Sequence, residues 1–153
     1  MLRLSKRADY ALIAMKHLAQ RQDAASASAR EIAGAYDIPI ELMAKVLQRL
    51  VRTGLLRSLQ GTRGGYVLGK PSQSISVGDI IEAIDGPFSV TACSAERNTC
   101  EQYGKCSIRD PLWRIKERIA AALGTVSLAE MAAETDHPVP ARPVPAALLR
   151  THA

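Results

Sequence analysis

The chain carries three cysteines, Cys93, Cys100 and Cys106, spaced Cys-x6-Cys-x5-Cys within 14 residues. They fall in TACSAERNTCEQYGKCSIRD, a polar, turn-rich segment between two stretches of helical periodicity. Thiols gathered in this way hold a metal or change redox state. A structural zinc site ordinarily shows a tight Cys-x-x-Cys-like knuckle and a fourth Cys or His. Neither is present, and His17, His137 and His152 are distant in sequence. Looser spacing in a loop suits an iron–sulfur cluster, whose thiolates must reach different irons around a bulky core. Zinc and reactive redox thiols are the competing chemistries, and Arg97 and Lys105 would favour the thiolate under each of them.

No paired carboxylates, Cys-His arrangement or cofactor-binding glycine motif accompanies the cysteines, so an enzyme is not expected. The glycine-rich stretch 61–65 lacks the Lys-Ser/Thr of a P-loop, which argues against nucleotide binding. A chain of 153 residues suffices for one domain with appendages. The absence of a long apolar run or secretory signal predicts no membrane span and a cytoplasmic location, where a disulfide framework is disfavoured.

The net charge of +5 is unevenly spread. Residues 1–75 hold 12 Lys/Arg against 5 Asp/Glu, and residues 76–153 hold 8 against 10. A basic front half points to a polyanionic partner.

The elements that would position these groups follow from local signals. Ser5 caps a helix to about Gln20, with Ala8, Ala11, Leu12, Met15 and Ala19 on one face. Ser28 and Glu31 form a capping box for a short second helix that breaks at YDIP. Pro39 begins a third helix that stops at Gly54, with Leu42, Val46, Leu47 and Leu50 as its buried stripe. Two apolar runs, 55–59 and 66–68, flank a glycine-rich turn and predict a β-hairpin. Ser76 opens a fourth helix ending at Gly86-Pro87. Asp110-Pro111 start a long helix closed by Gly124, followed by the shorter LAEMAAE.

The predicted fold is therefore mainly α with a small β-hairpin: a winged helix-turn-helix plus a long C-terminal helix. The division is 1–75 for the DNA-binding region, with a recognition helix at about 39–53 and a wing at about 55–69. Residues 76–134 hold the fourth helix, the cysteine loop (88–106) and the long helix at about 110–124. The proline-rich stretch 135–153 has no usable period and is expected to be disordered.

The third helix offers Lys45, Arg49 and Arg52 to phosphates, and Glu41, Lys45 and Gln48 to base edges. Ser28 and Arg30 begin the preceding helix, and Gln60, Thr62 and Arg63 stand at the wing tip. A polar helix face can equally be a solvated one, so the order of elements carries this reading more than any single residue.

Four stretches, LSKRADYALIAMKHLA, AREIAGAYDIPIELMAKVLQRLVRTGLLRS, GTRGGYVLGKP and SVGDIIEAIDGP, resemble the bacterial winged-helix regulators that include IscR, NsrR and the SUF-system regulators. The likeness spans residue 1 to about 134, and TACS, RDPLWRIKERI and VSLAEMA are most similar to regulators of SUF iron–sulfur assembly genes. The resemblance implies a homodimer built on the long helix, with Leu112, Ile115, Ile119 and Leu123 as its apolar stripe. It implies double-stranded DNA as partner, read as two half-sites. It also implies an iron–sulfur cluster, 2Fe–2S or 4Fe–4S, on Cys93, Cys100 and Cys106.

The fourth ligand is open. Some relatives use a histidine three positions after the last cysteine, and here that position is Arg109. Others use a carboxylate from the first helix of the partner subunit, the place that Asp9 occupies in RADYAL; Glu96, Glu101 or a small thiol are rivals. Ala44 stands where IscR-type members carry a glutamate, and Gln60 replaces their wing arginine, so their operator cannot be carried over. The expected function is cluster-dependent repression of SUF genes, with nitric-oxide or thiol-redox sensing on the same fold as the alternative.

Overall fold

In the computed structural model, which describes residues 3–21, 25–91 and 100–133, the Oγ of Ser5 accepts the Ala8 N–H at 3.1 Å and opens α1 (Lys6–Gln20). The buried face of α1 is Ala8, Ala11, Ala14, Met15 and Leu18. Three alanines on that face let α3, α4 and α6 pack closely against the helix.

Ser28 caps α2 (Ala29–Ala35) through its Oγ and the Glu31 N–H. Only this half of the expected capping box forms. The Glu31 carboxylate turns instead to the Arg21 guanidinium just beyond α1, tying α2 to α1. Residues 36–39 then turn the chain, with Asp37 at φ +52, into α3 (Ile40–Arg52). Its buried stripe is Met43, Val46, Leu47 and Leu50. Leu42, predicted to be part of that stripe, is 37% exposed. At about 100° per residue it lies a quarter-turn from the buried arc, and Met43 takes the core position.

Gly54, at φ +79, ends the helix-turn-helix as expected. Strands β1 (Leu56–Leu59) and β2 (Gly65–Leu68) pair antiparallel, Leu56 opposite Leu68 and Leu59 opposite Gly65. Ala27, in the connector before α2, adds a third short partner by exchanging backbone hydrogen bonds with Tyr66.

A capping box of Ser76 and Asp79 starts α4 (Val77–Asp85), which ends at Gly86. The long helix α5 runs Arg109–Thr125, passing through Gly124 rather than stopping there. Gly124 lies against α4, where a Cβ on Gly78 would come within 3.3 Å of its backbone nitrogen. α6 (Leu128–Ala133) folds back: Ser127 and Glu130 cap it reciprocally, and the Leu128 N–H bonds the Ile75 carbonyl at 2.7 Å.

The core joins both halves of the described chain. Met15, Ile32, Met43, Leu47, Leu50, Leu56, Ile75, Ile80 and Leu128 are fully buried, each contributing about 1.5–3 kcal/mol by leaving water. The architecture is the predicted mainly α, winged helix-turn-helix one. Among the described residues no helix is long and apolar enough to cross a membrane.

Candidate DNA-reading and thiol sites

Helical geometry sorts the exposed residues of α3. With Met43, Val46, Leu47 and Leu50 buried, the opposite strip is Glu41, Lys45, Gln48 and Arg52, all exposed. Their i, i+4, i+7, i+11 spacing makes one continuous line about three turns long, the form of surface that enters a major groove. Ala44 and Arg49 flank this strip on either side. Arg49 points its Nε toward α4 and donates it to the Ala83 carbonyl at 2.8 Å.

The wing stands beside this strip. Gln48 and Arg52 of α3 and Ser58, Gln60 and Tyr66 of the wing line one open groove of about 430 Å3. The tip is shaped by glycine: Gly61 has φ +107, and the Gly64 N–H returns to the Gly61 carbonyl at 2.9 Å. A Cβ on Gly64 would meet the Leu59 carbonyl at 2.6 Å. Gln60, Thr62 and Arg63 are exposed there, and Ser26 Oγ donates to the Arg63 carbonyl at 3.1 Å. The hydroxyl of Ser28 accepts at the α2 N-terminus, while Arg30 is exposed one residue into that helix. Of the predicted contacts the groove gathers Gln48, Arg52 and Gln60, while Glu41 and Lys45 continue the exposed α3 strip, Thr62 and Arg63 stand exposed at the wing tip, and Ser28 and Arg30 lie at the start of α2.

Two of the three cysteines are described; Cys93, Glu96 and Arg97 lie outside the described residues, as does the stretch from 134 onward. Cys100 and Cys106 are half-buried free thiols. A single 3-10 turn, Tyr103–Lys105, separates them, closed by the Tyr103 N–H on the Cys100 carbonyl at 3.1 Å. Arg109 clamps this turn to the start of α5. Its guanidinium stacks over the Tyr103 ring at 4.9 Å and donates Nη1 to the Tyr103 carbonyl at 3.3 Å. Its Nε donates to Asp110 at 2.8 Å, which raises the Arg109 pKa above the ordinary guanidinium value and lowers that of Asp110. Position 109 therefore supplies a cation committed to local hydrogen bonds.

Two unpaired thiols beside a positively charged group are a suitable donor set for iron, which takes thiolate ligands. Among the described residues no three His, Cys, Asp or Glu side chains converge as a metal group. Asp9 is apart from the cysteines in sequence, on the face of α1 opposite the core, with its carboxylate 3.9 Å from Lys6 Nζ. Glu101 is exposed beside Cys100.

The apolar side of α5 is divided. Leu112, Ile119 and Leu123 are half-buried, and Ile119 and Leu123 close a groove of about 690 Å3 with Ile81 and Phe88. Ile115 faces solvent at 45% exposure, and no α5 residue is fully buried.

Sequence reasoning missed Asp85, which accepts the Ser5 hydroxyl at 2.5 Å, and the link from Arg49 to α4. Pro87 was the available signal for the latter, since a proline after a helix leaves a carbonyl without its next N–H donor.

Known proteins match both the sequence and this geometry. IscR of Escherichia coli, an HTH-type transcriptional regulator, is 31% identical over 131 residues, 85% of this chain and 80% of IscR. Among solved structures, CymR (YrzC), the global cysteine regulator of B. subtilis, superposes with a TM-score of 0.72 at 28% identity, covering 89% of this chain and 100% of CymR. T. potens IscR gives a TM-score of 0.67 at 25% identity, with 89% and 94% covered. Residues 4–134 match the profile of the Rrf2 family, described as iron-dependent transcriptional regulators. With its helix-turn-helix, wing and long α5 in place, this chain belongs to the Rrf2 family of DNA-binding transcriptional regulators.

Proposed function

We propose that this regulator is an iron–sulfur cluster-dependent repressor of iron–sulfur (SUF) assembly genes, acting in the cytoplasm as a homodimer on an operator of two half-sites. The observation that carries the reading is the pair of free thiols, Cys100 and Cys106, held by a clamped turn directly ahead of α5 in a chain 31% identical to IscR. Cys93, Cys100 and Cys106 would hold the cluster, with Asp9 of a second copy as the fourth ligand. A bound cluster supplies a link between these thiolates that iron shortage or oxidants can break.

The chain's own residues do the rest. Glu41, Lys45 and Gln48 read base edges while Arg52 and the wing residues Gln60, Thr62 and Arg63 hold the flanking backbone. Ser28 and Arg30 face the phosphates from the start of α2. The unfilled side of α5, centred on Ile115 with Leu112, Ile119 and Leu123, joins two copies and fixes the distance between their reading heads. Joining Cys93, Cys100 and Cys106 through one cluster would shift the population toward the spacing that matches both half-sites.

Anaerobic purification with a visible spectrum and native mass spectrometry tests this reading, followed by operator binding of the cluster-loaded and metal-free forms. The loaded form is expected to be coloured, dimeric and the tighter binder. Equal affinity of the two forms refutes the mechanism.

Half-exposed thiols and the likeness to CymR favour one second reading, a repressor that senses nitric oxide or thiol redox state directly. Separate exposure of the loaded protein to nitric oxide and to peroxide ranks these signals by which one releases DNA at the lower dose.

A further inference from the structure

We propose that Arg49 is a positioning residue for the recognition helix: it bolts α3 to the last turn of α4, so that the chain entering the cysteine segment sets the tilt of α3 on DNA. The role in DNA binding rests on the family assignment, and the link to the cysteines rests on the function proposed above.

The chemistry begins at the end of α4. In a continuing helix the Ala83 carbonyl would accept the N–H of position 87, and Pro87 has none. Gly86, at φ +82, also turns the chain out of the helix while its own N–H goes to the Glu82 carbonyl at 2.9 Å. The Ala83 oxygen is left without a local donor at the negative end of the α4 dipole. Arg49 fills that need, with Nε 2.8 Å away across 34 residues of sequence in a partly buried contact. A charged donor at such a carbonyl is among the stronger hydrogen bonds a protein makes.

Its place on α3 fits this role. Glu41, Lys45, Gln48 and Arg52 form the line opposite the core, and Arg49 is displaced from it toward α4. The same last turn of α4 has a second anchor, because the Asp85 carboxylate accepts both the N–H and the hydroxyl of Ser5 at the start of α1. Residues 86–88 leave directly from these two anchors toward the cysteines. Displacement of that segment therefore reaches the recognition helix through the Arg49 bond in addition to the apolar packing of α3 on α4, with no contact to DNA required of Arg49.

The test uses the full chain, a duplex that the wild type selects from a random pool, and a scrambled duplex of equal length. Arg49→Gln removes the charge, and Arg49→Lys keeps it but places a methylene where Nε sits. Both variants are expected to lose about tenfold in the selected-to-scrambled affinity ratio. The slope of log affinity against log salt on the scrambled duplex is expected to stay at the wild-type value. A slope shallower by about 1 in Arg49→Gln and restored in Arg49→Lys overturns the proposal in favour of a phosphate contact. An unchanged affinity ratio in both variants overturns it as well.

Cluster-loaded and metal-free forms of each protein are measured alongside. The difference between states is expected to shrink in both variants, and a variant that keeps the full wild-type difference refutes the link to the cysteine segment. A wild type with no difference between states overturns the proposed signal and that link together. The positioning role is then still decided by the affinity ratio and the salt slope.

Discussion

Ser5 and Asp85 meet across 80 residues of sequence: the serine hydroxyl donates to the aspartate carboxylate at 2.5 Å while the same oxygen accepts the Ala8 N–H at 3.1 Å. One side chain thus caps α1 and fastens it to the end of α4. The tie is exposed and the cap is part-buried, and each contributes modestly: about 1 kcal/mol for the cap and about 0.5–1.5 kcal/mol for the tie. Ser5→Ala loses both and is expected to cost about 2 kcal/mol in urea unfolding. Asp85→Ala loses only the tie. The two changes should be non-additive when combined, and strict additivity would show that the contact carries no stability.

His17 predicts a loss of stability in mild acid. Its Nδ1 is 3.1 Å from the Tyr36 hydroxyl, the two rings meet edge to face at 5.6 Å, and its Nε2 is buried without a partner among the described residues. Burial first, and then the Arg21 cation, hold its pKa below the ordinary value, with Glu31 opposing them. The folded chain therefore resists a proton that the unfolded chain accepts near pH 6.5. Stability is complete above that pH and falls as pH drops through it toward the folded-state value. The Glu31 carboxylate, lowered chiefly by its hydrogen bond to Arg21, acts in a separate window: its contribution is lost only as pH falls through its own lowered pKa. His17→Phe keeps the ring packing and removes the titration. Its melting temperature should fall less than that of the wild type between pH 7.5 and 5.5, and an equal fall in the two proteins refutes the assignment.

Two glycines should respond oppositely to alanine. A Cβ at Gly65 would come within 2.7 Å of the Ala27 carbonyl, where the connector pairs with β2. Gly65→Ala must push the wing off that connector, and about 1–3 kcal/mol of destabilisation is expected, with weaker DNA binding. Gly34 lies within α2 with nothing inside 4 Å of its added Cβ. Gly34→Ala should be neutral or stabilising by up to about 1 kcal/mol, since alanine restricts the unfolded chain more. Thermal melts of the two variants side by side check the pair, and similar shifts of the same sign would contradict it.

What could be read from sequence was what neighbouring residues decide. Ser5, Ser28 and Ser76 announced helix starts because a hydroxyl reaches its own N3 amide, and Gly54 announced a stop because only a residue tolerant of positive φ ends α3 there. The hairpin was legible for the same reason. Partners fixed by packing were not. Glu31 left its own helix start for Arg21, Met43 displaced Leu42 from the core, and Ala27 became a strand partner of Tyr66. Each outcome depends on which element lies alongside, which local patterns do not encode. The exposed strip of α3 was visible in its residue types, but the separation of Arg49 from it required the position of Ala83.

The divided apolar side of α5 yields the last prediction. Leu123 lies in the groove with Ile81 and Phe88, so its own chain already uses part of its surface. Ile115 is 45% exposed on a helix of 17 residues with none fully buried, and Ile108, just before that helix, is 59% exposed. An amphipathic helix gains most of its stability by burying its apolar face, and this one buries only part of it within the chain. A second copy covering Ile115, as proposed above, would resolve that deficit. Ile115→Glu should therefore convert a dimer to a monomer in sedimentation equilibrium while leaving the helical circular dichroism of the domain in place. Leu123→Glu should differ by lowering the melting temperature as well, because it places a charge between α4 and α5. A dimer that survives Ile115→Glu with unchanged affinity would remove Ile115 from the interface. The two half-sites would then be spaced by another surface.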